Sequence, residues 1–400
     1  MYNILYFGKE IAMYSLLLAI IYLAFISLGL PDSLLGASWP TLYSQFDVPI
    51  SYMGYVTMII SLGTIISSLL CDRVVAKLGT RWVTFISILL TSVALFGFSL
   101  SDSFIHICLW GIPYGLGAGA IDASLNNYVA LHYNSRHMSW LHCFWGVGTI
   151  VSPYIMSYAL TLGGWADGYR IVSIIQISIA LIVLVSFPIW KINKKKEMTE
   201  VEVKPIGLTG VVKIKGALPV LLGFLAYCAT ESTTALWASS YFEGVFSLTK
   251  ETAAALGSLA FIGITAGRFA AGFITERLGD TKMIRLGAVI ALGGIILIAL
   301  PVKELAIAGF VLIGVGCAPI YPSIIHSTPE RFGKEKSQSI IGIQMAFAYL
   351  GSTLMPPLFG VIARYIDLRL MPAFLAVFLI AMFILLEKAN KQAPVLQKKQ

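Results

Sequence analysis

Residues 272–282 read Gly-Phe-Ile-Thr-Glu-Arg-Leu-Gly-Asp-Thr-Lys and join two long apolar runs of the chain. A shorter copy, Lys-Leu-Gly-Thr-Arg at residues 77–81, joins two apolar runs nearer the start. Either turn alone would fit an ordinary basic loop between membrane helices. Its recurrence at corresponding places is typical of an internal repeat, so we predict a chain built from two homologous halves.

The composition around these turns is that of a membrane protein. Of the 400 residues, 58% are hydrophobic and 12% charged, whereas soluble domains average roughly 45–50% and 25%. A helical run of about twenty apolar residues crosses the hydrocarbon core of a bilayer. Runs of this length, rich in Gly, Leu and Ile, favour helices over a barrel. We therefore predict an all-α membrane protein and exclude a soluble globular enzyme.

Twelve such runs fit the chain, and the longest polar stretch, Lys191 to Lys215, divides them six and six. The predicted spans are residues 11–38, 50–71, 80–100, 104–130, 139–161, 169–190, 217–241, 252–275, 282–301, 304–326, 337–361 and 369–387. This predicts an N-terminal six-helix half over residues 1–190, a cytoplasmic linker over 191–216, and a C-terminal six-helix half with a cytoplasmic tail over 217–400. The first run has no cleavage site of a signal peptide, so we expect it to be a retained helix.

Most of the 28 lysines and arginines fall on one side of these spans. The loops of the opposite side hold only Arg170, Lys250, Lys303, Arg364 and Arg369. By the positive-inside rule, we expect the basic side and both termini to lie in the cytoplasm. The membrane is expected to be the plasma (inner) membrane. The net charge of +8 therefore indicates membrane orientation and not nucleic-acid binding. The five cysteines are far apart without C-x-x-C spacing, which indicates neither a disulfide framework nor a metal site.

The six-plus-six plan with a basic glycine turn after spans two and eight resembles the major facilitator superfamily over nearly the whole chain. The second copy of the turn matches better because it has the acidic residue of the family pattern, Glu276, where the first copy has Ala76. In the family these turns act in gating between helices. The resemblance implies such gating or structural roles for Lys77, Gly79, Arg81, Gly272, Glu276, Arg277 and Gly279.

Nucleotide-binding, zinc-protease and nucleophile-elbow motifs are absent from the sequence, so we predict secondary transport without a cofactor and no enzymatic activity. Four ionisable residues lie inside predicted spans: Asp32, Asp122, Glu231 and Arg268. Charges are costly to bury in lipid, so each should face a cavity or a partner. The three acids are candidates for proton coupling. Alternatively they pair structurally, above all with Arg268, for which helix anchoring is the leading interpretation.

The residues around two of these acids, Asp122 in the fourth span and Asp32 in the first, indicate what the acids could bind. In the fourth, Asp122 and Asn126 are four apart and share a helical face with Gly115 and Gly119, which predicts a carboxylate and an amide beside a glycine-lined groove. A carboxyl group there can exchange a proton, and the amide can bond to hydroxyls. In the first span, glycine and proline interrupt the helix just before Asp32, and broken helices free backbone groups for ligands.

At these residues the chain resembles the fucose, galactose and glucose permease group of proton symporters within the superfamily. In that group a first-span Asp, a fourth-span acid followed four residues later by Asn, and a polar residue early in span five serve proton and sugar. Asp32, Asp122 with Asn126, and His142 match these positions. The sequence departs from the group in having Asp instead of Glu at 122, Asn127 instead of Pro, and His142 instead of Gln.

The remaining candidates are polar or aromatic groups near these acids. Glu231 lies in a seventh span similar to the acid-bearing seventh helix of the group. Aromatic rings offer platforms for sugar rings, among them Trp145 and Trp237, whereas Trp39 fits an interfacial anchor better. The predicted solute-binding residues are Asp32, Asn126, Asn127, His142, Trp145, Glu231, Trp237 and Gln344.

The leading interpretation is a monomeric transporter for proton-coupled uptake of a small polar solute, above all a sugar, by alternating access. Proton-antiport efflux of drugs or metabolites and uniport of a sugar stay open as alternatives. A membrane receptor or an intramembrane enzyme fits less well, because the sequence lacks a catalytic constellation. Solute, proton and lipid bilayer are the expected partners.

Overall fold

The computed structural model describes residues 2–190 and 205–395. Within these ranges the chain is helical, without a β-strand. Residues 191–204, the greater part of the predicted linker, lie outside the described residues.

The helices before the linker correspond to the first six predicted spans. They are α1 (Tyr2–Gly29), α2 (Leu34–Gln45), α3 (Met53–Leu78), α4 (Thr80–Ser99), α5 (Phe104–His132), α6 (Ser135–Leu162), α7 (Trp165–Val185) and the short α8 (Phe187–Trp190), with a 3-10 turn at Ile50–Tyr52.

The helices after the linker correspond to the other six. They are α9 (Gly207–Val212), α10 (Ala217–Phe246), α11 (Lys250–Gly257), α12 (Leu259–Leu278), α13 (Asp280–Ile298), α14 (Lys303–Cys317), α15 (Ile320–His326), α16 (Thr328–Phe332), α17 (Lys334–Tyr365) and α18 (Met371–Gln392), with a 3-10 turn at Leu368–Leu370.

Eleven helical segments of the described chain are long and apolar enough to cross a membrane. Helix α10 is not among them, although its 30 residues exceed the length of a span. Glu231 and the serine and threonines around it lower its hydropathy. With α10 included, the helices account for the twelve predicted spans, and the all-α membrane fold is confirmed.

The first span is broken where the sequence predicts it. Helix α1 ends at Gly29 and α2 begins at Leu34. Pro31 has no backbone N–H and disfavours a helical residue before it, so it favours a break at this point. Turn hydrogen bonds close the gap, from Asp32 N to Gly29 O at 3.2 Å and from Leu34 N to Pro31 O at 3.1 Å. Asp32 thereby lies in a turn within a membrane span.

The two glycine turns have the same backbone conformation, which supports the internal repeat. Gly79 has φ +79° and ψ 155°, and Gly279 has φ +78° and ψ 157°. Each N–H donates to the carbonyl four residues back, at 2.8 Å in both turns. This positive φ is favourable only for glycine, so the residue is required for the sharp reversal between helices.

Contacts divide the described chain into two compact units. Unit 1 comprises residues 2–125 and 144–190, and unit 2 comprises residues 126–143 and 205–395. The units therefore differ from the predicted halves by the α5–α6 turn, residues 126–143, which groups with the second half. The core of unit 1 includes the fully buried Leu42, Phe98 and Tyr169.

Candidate functional site

Unit 1 contains a carboxylate centre around Asp32. The indole Nε1 of Trp145 donates to Asp32 Oδ2 at 2.8 Å, and the Tyr114 hydroxyl donates to Oδ1 at 3.1 Å. The two bonds fix the carboxylate, while Asp32 itself stays exposed. An accessible, oriented carboxylate within a span can take up a proton or accept hydrogen bonds from a polar solute.

Close backbone packing between α1 and α6 places Trp145 beside Asp32. A side chain at Gly29 would overlap the Trp145 carbonyl oxygen, and one at Gly148 would overlap the carbonyl oxygen of Ile26. Glycine pairs of this kind let membrane helices approach closely. Trp145 was predicted as a solute ligand. Sequence reasoning missed Tyr114, although it directly precedes the glycine-rich stretch of the fourth span.

Asp122 lies on a packed helix face. Side chains at Gly115 and Gly119 would overlap the backbone carbonyl oxygens of Ile60 and Thr64, which belong to α3. The glycine-lined groove predicted beside Asp122 is therefore wrong, because these glycines serve a contact between α3 and α5. Asp122 is 4% exposed.

Unit 2 contains a largely buried ion pair between α10 and α12. Arg268 Nη2 donates to Glu231 Oε1 at 2.7 Å. The Arg268 side chain is 4% exposed and that of Glu231 16%. The structure thus joins two residues whose pairing the sequence left as an alternative. Glu231 keeps an accessible edge, so it can meet a solute or a proton while it balances the buried guanidinium.

Tyr321 lies between this ion pair and a second polar group. Its ring lies 6.0 Å from the Arg268 guanidinium carbon and edge-on to the His142 ring at 4.6 Å between centroids. His142 Nε2 lies 3.0 Å from Asn126 Oδ1, so this ring nitrogen donates to the amide oxygen. Glu231, Arg268, His142 and Asn126 are therefore brought together around Tyr321, which sequence reasoning missed. We call these five residues the Tyr321 cluster.

Three other predicted solute ligands lie in separate contacts. Asn127 Nδ2 donates to Gln338 Oε1 at 2.9 Å and its Oδ1 accepts from Ser337 Oγ at 2.6 Å, so its amide links α5 to α17. The Trp237 indole donates to the Pro356 carbonyl at 3.0 Å.

Gln344 is fully buried, with its Oε1 3.1 Å from Thr328 Oγ1. The aromatic side chain that the sequence left as an anchor, Trp39, is also buried, and its indole donates to the Ile50 carbonyl at 2.8 Å. The Trp39 indole therefore has a protein partner, whereas the buried Nε2 of Gln344 has no hydrogen-bond partner among the described residues.

The second glycine turn and the helix before it contact the α5–α6 turn. Arg136 Nη2 donates to Glu276 Oε2 at 2.6 Å. Trp140 packs against α12 at Gly272, where any side chain would overlap its indole, and Nε1 donates to the Phe269 carbonyl at 3.3 Å. We call this set of contacts between residues 126–143 and α12 the latch.

The remaining basic residues of the two glycine turns lie outside the latch. Lys77 and Arg277 are exposed. The Arg81 guanidinium lies 5.3 Å from the centre of the Phe187 ring. A further contact was missed from sequence: His326 Nδ1 lies 2.7 Å from Asp280 Oδ2, and its Nε2 lies 3.2 Å from the Tyr133 carbonyl.

Comparison with known proteins agrees with this architecture. The family model of the Major Facilitator Superfamily matches residues 21–301 and 219–400. The uncharacterized transporter y4wD of Sinorhizobium fredii is 28% identical over 346 residues, which cover 83% of this chain and 87% of y4wD.

Solved structures of the same fold cover almost the whole chain. The proton:xylose symporter XylE has a TM-score of 0.78 at 11% identity, covering 94% of this chain and 95% of XylE. The E. coli fucose:proton symporter FucP has a TM-score of 0.74 at 14% identity, covering 95% of this chain and 99% of FucP. At these identities the likeness shows the fold alone. With the family model matching most of its length, the chain belongs to the Major Facilitator Superfamily, whose members are integral membrane transporters of small-molecule solutes.

Proposed function

We propose that the protein takes up a small polar solute, above all a sugar, together with a proton, by alternating access. The observation that carries the proposal is the exposed Asp32 carboxylate, held by Trp145 and Tyr114 in the break of the first span. A secondary transporter needs such a group, because its energy comes from an ion gradient.

The chemistry of one carboxyl group can couple proton and solute. The ionised form accepts hydrogen bonds on both oxygens, whereas the protonated form also donates one. Protonation of Asp32 therefore changes which solute groups it can bind and removes a charge from the span. If the carrier changes between its outward-open and inward-open states more readily when Asp32 is protonated and neutral, each solute molecule crosses the membrane together with a proton.

The Tyr321 cluster supplies a second set of polar groups for a hydroxylated solute. Glu231 offers an accessible carboxylate edge, and His142 and Asn126 offer a ring nitrogen and an amide. Asp122 stays a candidate for proton coupling, but its burial at the α3–α5 contact makes Asp32 the better-placed carboxylate.

Two of the similar proteins give the proposal its substrate class. XylE is a proton:xylose symporter and FucP a fucose:proton symporter, and both share this fold. The latch includes Gly272 and Glu276 of the turn motif that acts in gating in the family, so we expect the contacts of Arg136 and Trp140 with α12 to take part in alternating access. The lysine and arginine distribution supports a plasma (inner) membrane protein with both termini cytoplasmic.

Solute binding measured against pH tests the role of Asp32. Purified protein is screened by thermal shift with hexoses, pentoses and nucleosides, since a bound ligand raises the apparent stability. We expect a sugar to bind, with an affinity that changes with pH in the wild type and is pH-independent in Asp32→Asn. The matched control is Asp102→Asn, at an exposed acid of the α4–α5 loop, which should keep the pH dependence. A pH dependence that survives in Asp32→Asn would contradict the proposal.

A further inference from the structure

A cavity of about 460 Å³ lies between the segment that enters α10 and the end of α18. Lys213, Lys215 and Lys388 line it, and no acidic residue is among the described residues that do so. The nearest acid in the sequence, Glu387, is bonded to Arg285 at 2.7 and 2.9 Å. We call this site the lysine cavity.

The first wall of the lysine cavity is fixed to unit 2 without use of the lysines. Ile206 N donates to Ser339 Oγ at 3.3 Å, and Val211 is fully buried. The turn ends at Gly216, whose φ of +87° favours glycine and directs the chain into α10. Lys213 and Lys215 are consequently held on a docked segment with their side chains exposed.

The second wall, the end of α18, is anchored from α16. Arg331 donates from Nη1 to the Ala393 carbonyl at 2.8 Å and from Nη2 to Asn390 Oδ1 at 2.7 Å. Burial lowers the pKa of Arg331 to about 10, so it is charged near neutral pH and its bonds are charge-assisted. Lys388 is exposed on this anchored helix.

One side of the cavity is apolar. Leu218 and Leu222 are four residues apart on α10, one turn above each other, and are 38% and 37% exposed. Leu385 of α18 completes this side. Cations at the helix ends and leucines along the span are the arrangement that a phospholipid requires, with an anionic headgroup at the lysines and acyl chains on the leucines. A free phosphate would use the lysines alone.

We propose that the lysine cavity binds the headgroup of an anionic phospholipid such as phosphatidylglycerol. The lipid would join the segment after the linker to the C-terminal helix of unit 2. With both termini in the cytoplasm, as proposed above, the bound lipid would belong to the cytoplasmic leaflet. Solute and proton take no part in the binding, so failure of this proposal and failure of the proposed transport are separate results.

Lipid binding to the purified full chain tests the proposal. Native mass spectrometry is run with dioctanoyl phosphatidylglycerol, dioctanoyl phosphatidylcholine and glycerol 3-phosphate. We expect the wild type to bind phosphatidylglycerol about tenfold or more tightly than phosphatidylcholine, and the triple variant Lys213→Gln, Lys215→Gln, Lys388→Gln to lose that preference. Unchanged preference in the triple variant would overturn the proposal, as would glycerol 3-phosphate binding as well as the lipid.

A matched charge change separates a site from general attraction to a basic surface. The control variant, Lys282→Gln, Lys334→Gln, Lys336→Gln, removes three lysines from the same side of the chain and outside the cavity. We expect it to retain the preference for phosphatidylglycerol. If it loses the preference as fully as the cavity variant, the lysine cavity is not a lipid site.

Discussion

Breaking the buried ion pair of unit 2 should be costly, and unequally so from its two ends. Glu231→Gln leaves Arg268, 4% exposed and unable to lose its proton, without its counter-charge. Loss of one member of a buried pair costs about 3–5 kcal/mol, and we expect this variant within that range. Arg268→Gln should cost less, about 2 kcal/mol, because Glu231 is 16% exposed and can hydrate or take up a proton.

The double variant measures the coupling between the two side chains. Free energies of unfolding are determined by SDS titration in mixed micelles for the wild type, both single variants and Glu231→Gln/Arg268→Gln. We expect the double variant to recover about 2 kcal/mol relative to the sum of the single losses, since no unpaired charge is then buried.

An exposed pair of the same unit provides the control. Arg285 makes two bonds to Glu387, but these side chains are 50% and 26% exposed. Its cycle should give a coupling below about 1 kcal/mol. If the Glu231 and Arg268 losses simply add, the two residues stabilise the protein independently and the reasoning from burial is refuted.

The latch gives two further predictions, both read by the same unfolding assay. Gly272→Ala overlaps the Trp140 indole and should cost about 1–3 kcal/mol by overpacking. Gly293→Ala is the control: apart from the backbone of its own helix and its chain neighbours, nothing lies within 4 Å of the added carbon, so it should be neutral or stabilising by about 0.5–1 kcal/mol. Equal effects of the two variants would exclude the Trp140 contact. Arg136→Gln removes an ion pair to Glu276 in which both side chains are about a third exposed. The free energy of unfolding should therefore fall by less than about 1 kcal/mol, and by less still at high salt. A larger loss that does not depend on salt would contradict the interpretation of this contact as a solvent-exposed ion pair.

The parts of the fold that follow from local chemistry were predictable. Glycine and proline before Asp32 favour a break in the first span, and the structure has that break between Gly29 and Leu34. Gly79 and Gly279 adopt the same positive φ, so the repeated sequence motif corresponds to a repeated backbone conformation. The pairing of Glu231 with Arg268 was open to reasoning too, since charges within spans require partners.

What covers a helix face could not be read from periodicity. Spacing places Gly115, Gly119 and Asp122 on one face, but the same spacing fits a groove or a packed contact, and α3 covers it. Asn127 differs from Asn126 by one position and about 100° around the helix, so its amide bonds to Gln338 and Ser337 and not to His142 of the Tyr321 cluster.

The tyrosines of the carboxylate centre and the Tyr321 cluster could not be predicted from the sequence. Tyr114 and Tyr321 lie in apolar spans, where a tyrosine usually packs or anchors at the interface. Their roles depend on contacts between residues far apart in the sequence, such as Tyr114 and Asp32, which are 82 positions apart. Tertiary packing alone brings these groups together.

Proton movement driven by the solute gradient is the most direct test of the proposed symport. Wild-type protein and Asp32→Asn are reconstituted in vesicles that contain a pH dye, and the solute identified by binding is added outside. We predict that inward solute flow acidifies the lumen in the wild type, and that Asp32→Asn loses this pH change while solute counterflow continues. Solute counterflow in the wild type without any pH change on solute addition would contradict proton coupling and leave uniport.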